Sequence, residues 1–238
     1  MSETSGPPLT RTRPVVAIDG PAGAGKSTLA AHLARHFGFL NLETGAMYRA
    51  FALKAIENDV DVDSEAELMR LSETTRIRLE PALDGNRVVL DSVNVTHRVR
   101  ELDVTSAASR VSVHPLVRSW MVDQQRALGA SGGVVMEGRD IGTVVFPDAE
   151  VKIFLDAAPE VRGNRRYRQG GSAIERETPA DVIRDLKERD ERDRNRLESP
   201  LRPASDAVVL DSTGMTLEQV LEQAEKLVTE RVGRQAKT

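Results

Sequence analysis

Eight consecutive residues, Gly20, Pro21, Ala22, Gly23, Ala24, Gly25, Lys26 and Ser27, with Thr28 next in line, fit the spacing G-x-x-x-x-G-K-[ST] in full. The chemistry of that spacing is the holding of a nucleoside triphosphate. Its glycines let the backbone curl so that successive N–H groups face phosphate oxygens, while Lys26 bridges the terminal phosphates and Ser27 offers its hydroxyl to Mg2+. A helix opening at the loop adds its positive end. A glycine-rich turn that matched by chance would lack the required context of a strand before and a helix after. Here the apolar run Val15 to Asp19 precedes the loop, and from Thr28 onward Leu29, Leu33 and Phe37 recur every four residues until Gly38 supplies a stop.

Three more segments carry charge in patterns that invite chemistry. The helix expected from Pro179 to Asn195 has Thr178 at its N-cap, Pro179 at its first position and Asp181 three residues after the cap. At 100° per residue, Val182, Leu186, Arg189, Asp193 and Arg196 fall within an arc of roughly 80°, so an apolar stripe turns into a charged one on the same face. Pairs such as Glu188 with Arg192 and Asp190 with Arg194 are expected on the other faces. Core-facing charges imply a polar ligand, with the arginines reaching phosphates or the basic segment described next and the carboxylate a sugar hydroxyl.

The second segment, Pro159 to Ser172, packs Arg162, Arg165, Arg166 and Arg168 ahead of Gly170 and Gly171. It reads as a mobile basic flap whose arginines could close over a triphosphate, or as a solvated cationic helix. The third, Met136 to Ala149, leads from a strand into Gly138, Arg139 and Asp140, at the end of a sheet where active-site groups collect. Arg139 suits a phosphate, and Asp140 an amine or a metal-bound water.

The elements that must position these groups are short apolar runs at Val15 to Ile18, Val134 to Met136, Val151 to Leu155 and Ala207 to Leu210, with a weaker run at Phe39 to Leu42. Helical patterns separate most of them, which is the signature of a parallel α/β sheet. Residues 59 to 100 differ: a helical stretch from Ser64 to Ser72 leads into a meander of short strands with Asp-Gly at a turn, an insertion outside the parallel core. Such an insertion sits beside the crevice at the strand ends, or merely decorates the fold.

With 238 residues, 39% of them hydrophobic, the chain can bury one full core. The net charge of −4 gives no general attraction to nucleic acid, and aromatics at 3% leave little to stack bases on. The absence of cysteine excludes disulfides and thiol chemistry. The first dozen residues lack the apolar core of a secretory signal and no long apolar run follows, so a cytoplasmic location without a membrane partner is expected. His32, His36, His97 and His114 read as surface or packing residues rather than metal ligands.

The phosphate loop, TGAMYR, the strand-rich insertion, GRDIGTVVFPDA, VKIFLDA, the basic segment and ERDERDRNR occur in this order from about Pro14 to the final helix, and together they resemble bacterial cytidylate kinases. The resemblance implies an α/β fold of the P-loop NTPase type: a parallel sheet flanked by helices, a strand-rich nucleotide-binding insertion and a mobile arginine-rich lid. Its divisions would be a disordered tail over 1–13, one kinase domain over 14–232 and a flexible tail over 233–238. Within the domain the core would span 14–58, 101–158 and 173–232, the insertion about 59–100 and the lid about 159–172.

The implied activity is transfer of the ATP γ-phosphoryl group to CMP or dCMP with Mg2+; a monomer is the default expectation. Carried over by motif position, Thr44, Tyr48 and Arg49 would line the acceptor site, with Arg49, Arg139 and Arg196 on the CMP phosphate. Ser109, Arg118 and Asp140 would recognise cytosine, Arg189 and Asp193 the ribose, and Arg162, Arg165 and Arg166 would close over the transferring group. Lys26, Arg139 and Arg189 join those three as the implied catalytic set. Glu43 stands where many members have aspartate, a change expected to reposition Thr44 slightly. Rival readings are a kinase for UMP or another small acceptor, and a nucleotide-dependent switch, although no N-K-x-D guanine-reading motif is present.

Overall fold

Strand β1 (Val15–Asp19) is buried at all five positions, the mark of a central strand covered on both faces. In the computed structural model, which describes residues 11–82, 85–169 and 178–235, it lies in the middle of a five-stranded parallel sheet. The order is β2 (Leu40–Glu43), β6 (Val134–Gly138), β1, β7 (Val151–Asp156) and β8 (Val208–Asp211). Alternation along β1 divides the interior in two. Val15 and Ala17 join a core with α2 (Thr44–Glu57), α4 (Leu102–Val111) and α5 (Pro115–Gly129). Val16 and Ile18 join a second core with α1 (Lys26–Phe37) and α8 (Leu217–Gln235). Register brings Asp19 opposite Gly138 and Glu43 opposite Glu137, so the carboxyl ends of three adjacent strands finish at one level.

The weak run at 39–42 is a true strand, shifted by one residue, and α1 begins at Lys26 rather than Thr28 because Gly25, at φ 98°, already turns the chain as the N-cap. The insertion folds as α3 (Glu65–Glu73) and an antiparallel sheet of β3 (Ile77–Ala82), β4 (Gly85–Leu90) and β5 (Val93–Asn94). It is not set apart from the core: Leu79, Val88 and Leu90 pack into the same apolar cluster as Val15 and Met136. Buried Asn86 ties it to β2, its Oδ1 accepting from the Glu43 N–H at 2.9 Å and its Nδ2 donating to the Asn41 carbonyl at 2.7 Å.

The expectation for the N-terminal tail needs correction, and the basic flap is described in part. Arg11 and Arg13 dock on the core, the first on Asp148 at 2.7 Å and the second on the Gly38 carbonyl at 2.6 Å, so the tail as drawn over 1–13 is too long; residues 1–10 lie outside the described residues. Most of the basic flap is a regular helix, α6 (Pro159–Gln169), packed along α7 (Pro179–Asn195). The two axes approach closely because residue 163 is glycine; a Cβ there would stand 2.2 Å from Ile183. Gly170, Gly171 and Ser172, the flap's remaining part, fall outside the described residues, as do 236–238 of the C-terminal tail. No helix among the described residues is long and apolar enough to cross a membrane.

Candidate active site

The phosphate loop follows directly from β1. Gly20 is a steric requirement, since a Cβ would lie 2.0 Å from the Leu155 carbonyl oxygen, and φ there is 149°. On the far side the loop rests on α7, where Val182 and Leu186 pack against Ala22. The apolar start of the α7 stripe therefore seats the loop, and its charged continuation runs into a cleft of about 550 Å3. The capping box at Thr178 and Asp181 fixes where α7 begins and hence which side chains reach that cleft.

Ala22, Gly23, Lys26 and Ser27 line the cleft from the loop, and Thr44, Tyr48 and Arg49 from α2. The end of β6 contributes Glu137, Arg139 and Asp140, α6 contributes Arg166, and α7 contributes Arg189, Asp193 and Arg196 at its C-cap. Arg118 of α5 enters too, donating to Asp140 at 2.5 Å and to the Ser112 carbonyl at 3.1 Å, with its guanidinium 5.7 Å from the Tyr48 ring centroid. From α4 the lining residues are Thr105, Ala108 and Ser112, while Ser109 sits buried beside them. Of residues 59–100, Arg100 reaches the cleft; among the described residues the insertion strands supply no lining side chain.

Two of the arginines assigned to a closing flap point elsewhere. Arg162, only 1% exposed, pairs with Asp190 at 2.6 Å and donates to the carbonyls of Ala22 and Ala157, both at 2.8 Å. Arg165 donates to the Ser212 hydroxyl and carbonyl. Arg162 thus clamps the phosphate loop from behind, and the Asp190–Arg194 pair expected along α7 gives way to this buried partner.

Among the described residues, eight cations, Lys26, Arg49, Arg100, Arg118, Arg139, Arg166, Arg189 and Arg196, face four carboxylates, Glu43, Glu137, Asp140 and Asp193. Arg139 binds Asp193 at 2.9 Å, Arg196 lies 3.5 Å from the same carboxylate, and Arg49 pairs with Glu43. Burial works against ionisation of Asp193, but Arg139, Arg196 and Arg189 outweigh it and hold its carboxyl below the usual range. The surplus shows in the cations. Burial and then the charge of Arg139 pull Arg189 down to about 10 and also lower Lys26. The Lys26 ammonium donates to the Pro21 carbonyl at 2.7 Å. Among the described residues, the Nε atoms of Arg49, Arg118 and Arg196 are buried without a hydrogen-bond partner. Such orphaned donors on charged groups fit an anionic ligand.

Two carboxylates that the motifs did not single out complete the floor. Asp19 accepts from the N–H groups of Ile141 and Gly142, both at 2.8 Å, which anchors the wide helical turn after β6; burial raises its pKa to about 6. Glu137 is buried, has one carboxylate oxygen without a partner, and is pushed up by burial and by neighbouring Glu43 while Ser27 hydrogen-bonds to it. The Ser27 hydroxyl with this carboxylate behind it is a set of hard oxygen donors suited to Mg2+. A signal for both existed in their position as strand-terminal acids beside the loop.

Comparison with known proteins identifies the family. The family model described as cytidylate kinase matches residues 16–230. The cytidylate kinase of Pelotomaculum thermopropionicum is 47% identical over 92% of this chain and 96% of its own length. Those of Vibrio parahaemolyticus and Geobacillus kaustophilus are each 45% identical, over 91% and 92% of this chain and 96% and 97% of their own. Among solved structures, a shikimate kinase from Bacteroides thetaiotaomicron aligns over 92% of this chain and 98% of its own with a TM-score of 0.48 at 12% identity, a likeness that carries no argument about activity. With a family model matched from β1 into the last helix and relatives near half identity over almost the whole length, this chain belongs to the cytidylate kinase family.

Proposed function

We propose that the cleft transfers the γ-phosphoryl group of ATP to the phosphate of CMP or dCMP, giving ADP and CDP or dCDP. The carrying observation is the cleft's charge, eight cations against four carboxylates in a chain whose net charge is −4. Two polyanions brought end to end need that surplus, and a site for one phosphate group does not.

An ionised oxygen of the CMP phosphate bonds to the γ-phosphorus as the bond from phosphorus to the β,γ-bridging oxygen breaks, and that electron pair leaves on ADP. The acceptor is already ionised at neutral pH, so no general base is required. The loop backbone and Lys26 hold the donor phosphates, Lys26 leaving the Pro21 carbonyl to do so. Ser27, with Glu137 behind it, would hold Mg2+, which would supply further neutralisation of the donor's phosphate charge. Arg49, Arg139 and Arg196 grip the acceptor phosphate, Arg189 and Asp193 orient the ribose, and Arg166 reaches toward the transferring group. Arg118 and Asp140, with Ser109 behind the lining residues of α4, read the base; the carboxylate accepts from the cytosine amine, which UMP lacks. Arg162 and Arg165 act as positioning residues, through the phosphate loop and the Ser212 turn. Working on free nucleotides, the enzyme is assigned to the cytoplasm as a monomer.

The test is ADP release in a coupled assay with ATP, Mg2+ and CMP, dCMP, UMP, AMP or GMP. Strong turnover with CMP and dCMP and faint turnover with UMP is expected. Failure of every monophosphate to stimulate ADP release would end the acceptor assignment and leave only triphosphate binding.

A further inference from the structure

Helix α1 turns one face to the sheet through Leu29 and Leu33, and four-residue spacing places His32 and His36 together on another face. Helix α8 packs along α1 and brings Glu225 to the same spot from 193 positions away in sequence. His32 Nε2 is in close contact with Glu225 Oε1, and His36 Nδ1 lies 3.2 Å from the same oxygen. One ligand atom from each of the three falls within 4.8 Å of the others. The His36 ring is braced against Phe37, with centroids 4.7 Å apart.

Two imidazoles and a carboxylate converging from two helices form the donor set that zinc and its first-row neighbours take. Tetrahedral coordination at zinc distances sets ligand atoms about 3.3 Å apart, which this cluster reaches by small side-chain rotations. The three side chains are 31%, 48% and 28% exposed, which leaves a solvent side where water can complete the coordination. Imidazole nitrogens do not suit Mg2+, so the cluster does not compete for the nucleotide's metal. None of the three residues lines the cleft, and His32 lies six residues, about 9 Å of helix, beyond Lys26.

We propose that His32, His36 and Glu225 form a transition-metal site of the zinc class that ties the last helix to the helix opening at the phosphate loop. Its role is to fix α8 on α1 and leave the cleft chemistry unchanged.

The experiment titrates the full-length, untagged, nucleotide-free protein with Co2+ in millimolar Mg2+, followed by visible absorption, and then adds Zn2+. One-to-one saturable binding with the intense visible bands of a four- or five-coordinate site, displaced by Zn2+, is the expected result. At a hundredfold excess over Kd, Zn2+ raises Tm by roughly 5 °C. His36→Ala and Glu225→Gln, both at partly exposed positions, each weaken Co2+ binding at least about tenfold. If either variant fails to fold, His32→Gln serves in its place. No saturable binding above Mg2+ competition, or binding unchanged in the variants, would overturn the site.

Discussion

The insertion and the cleft are both rich in charge, and they handle it in opposite ways. In and around the insertion, Arg98 meets Asp103 at 2.6 Å, Arg110 meets Asp63, and Arg78 and Arg87 share Glu80. Each of these four cations has a carboxylate partner, and the pairs stand in water, where screening leaves them little energetic weight. In the cleft, cations outnumber carboxylates by two to one, and Arg118 and Arg196 retain side-chain exposures of only 3% and 4%. Pairing alone cannot neutralise that set. The difference teaches that the insertion's charges serve solubility and local geometry, whereas the cleft holds an unbalanced field that an anionic ligand completes.

Mutations at the unbalanced end break this contrast most severely. Lys26→Met removes the charge proposed to bridge the donor phosphates, and kcat is expected to fall about 1,000-fold with the fold intact by circular dichroism. Next is Arg162→Met, which leaves buried Asp190 unpaired and the Ala22 carbonyl without its donor. Breaking such a pair costs about 3 kcal/mol, read as a lower urea midpoint, and Asp190→Asn in the same background should recover part of it. Arg189→Ala should lower kcat about 100-fold without lowering Tm, because burial and then neighbouring Arg139 pull the Arg189 pKa down to about 10, so that its charge is held at a cost, while the Arg139–Asp193 pair remains. The smallest effect belongs to the insertion: Arg110→Ala should leave Tm and kcat within experimental error, and a clear loss would show that the exposed pairs are not equivalent to solvated charge.

What could be read in the sequence was local. The loop, the strand before it, the capping box at Thr178 and the charged stripe on α7 depend on neighbours within a few residues, and periodicity displays them. What escaped depends on partners far along the chain. Asp190 looked like a member of a surface pair with Arg194, but Gly163 lets α6 come close enough for Arg162 to claim it. Periodicity cannot announce a second helix. Asp19 and Glu137 became floor residues only through strand order, which sets the ends of β1, β6 and β2 side by side. The four-residue spacing of His32 and His36 was legible as one face of a helix, whereas Glu225 arrives through the packing of α8. The basic segment at 159–169 was readable as cationic, yet which of its arginines would turn inward was settled by what α7 offered them.

The central claim, that the cleft's positive surplus is completed by phosphate, has a direct thermodynamic consequence. Burial and then the charge of Arg139 pull the Lys26 pKa down from its ordinary 10.5 to about 7, which favours loss of its proton in the free protein. A bound polyphosphate favours the charged ammonium and raises that pKa, so binding between those two values must take up protons. The measurement is calorimetry of Mg2+-free ATP binding at pH 8 in buffers of different ionisation enthalpy. Net proton uptake that disappears in Lys26→Met is the predicted result; a binding heat independent of the buffer would contradict the account.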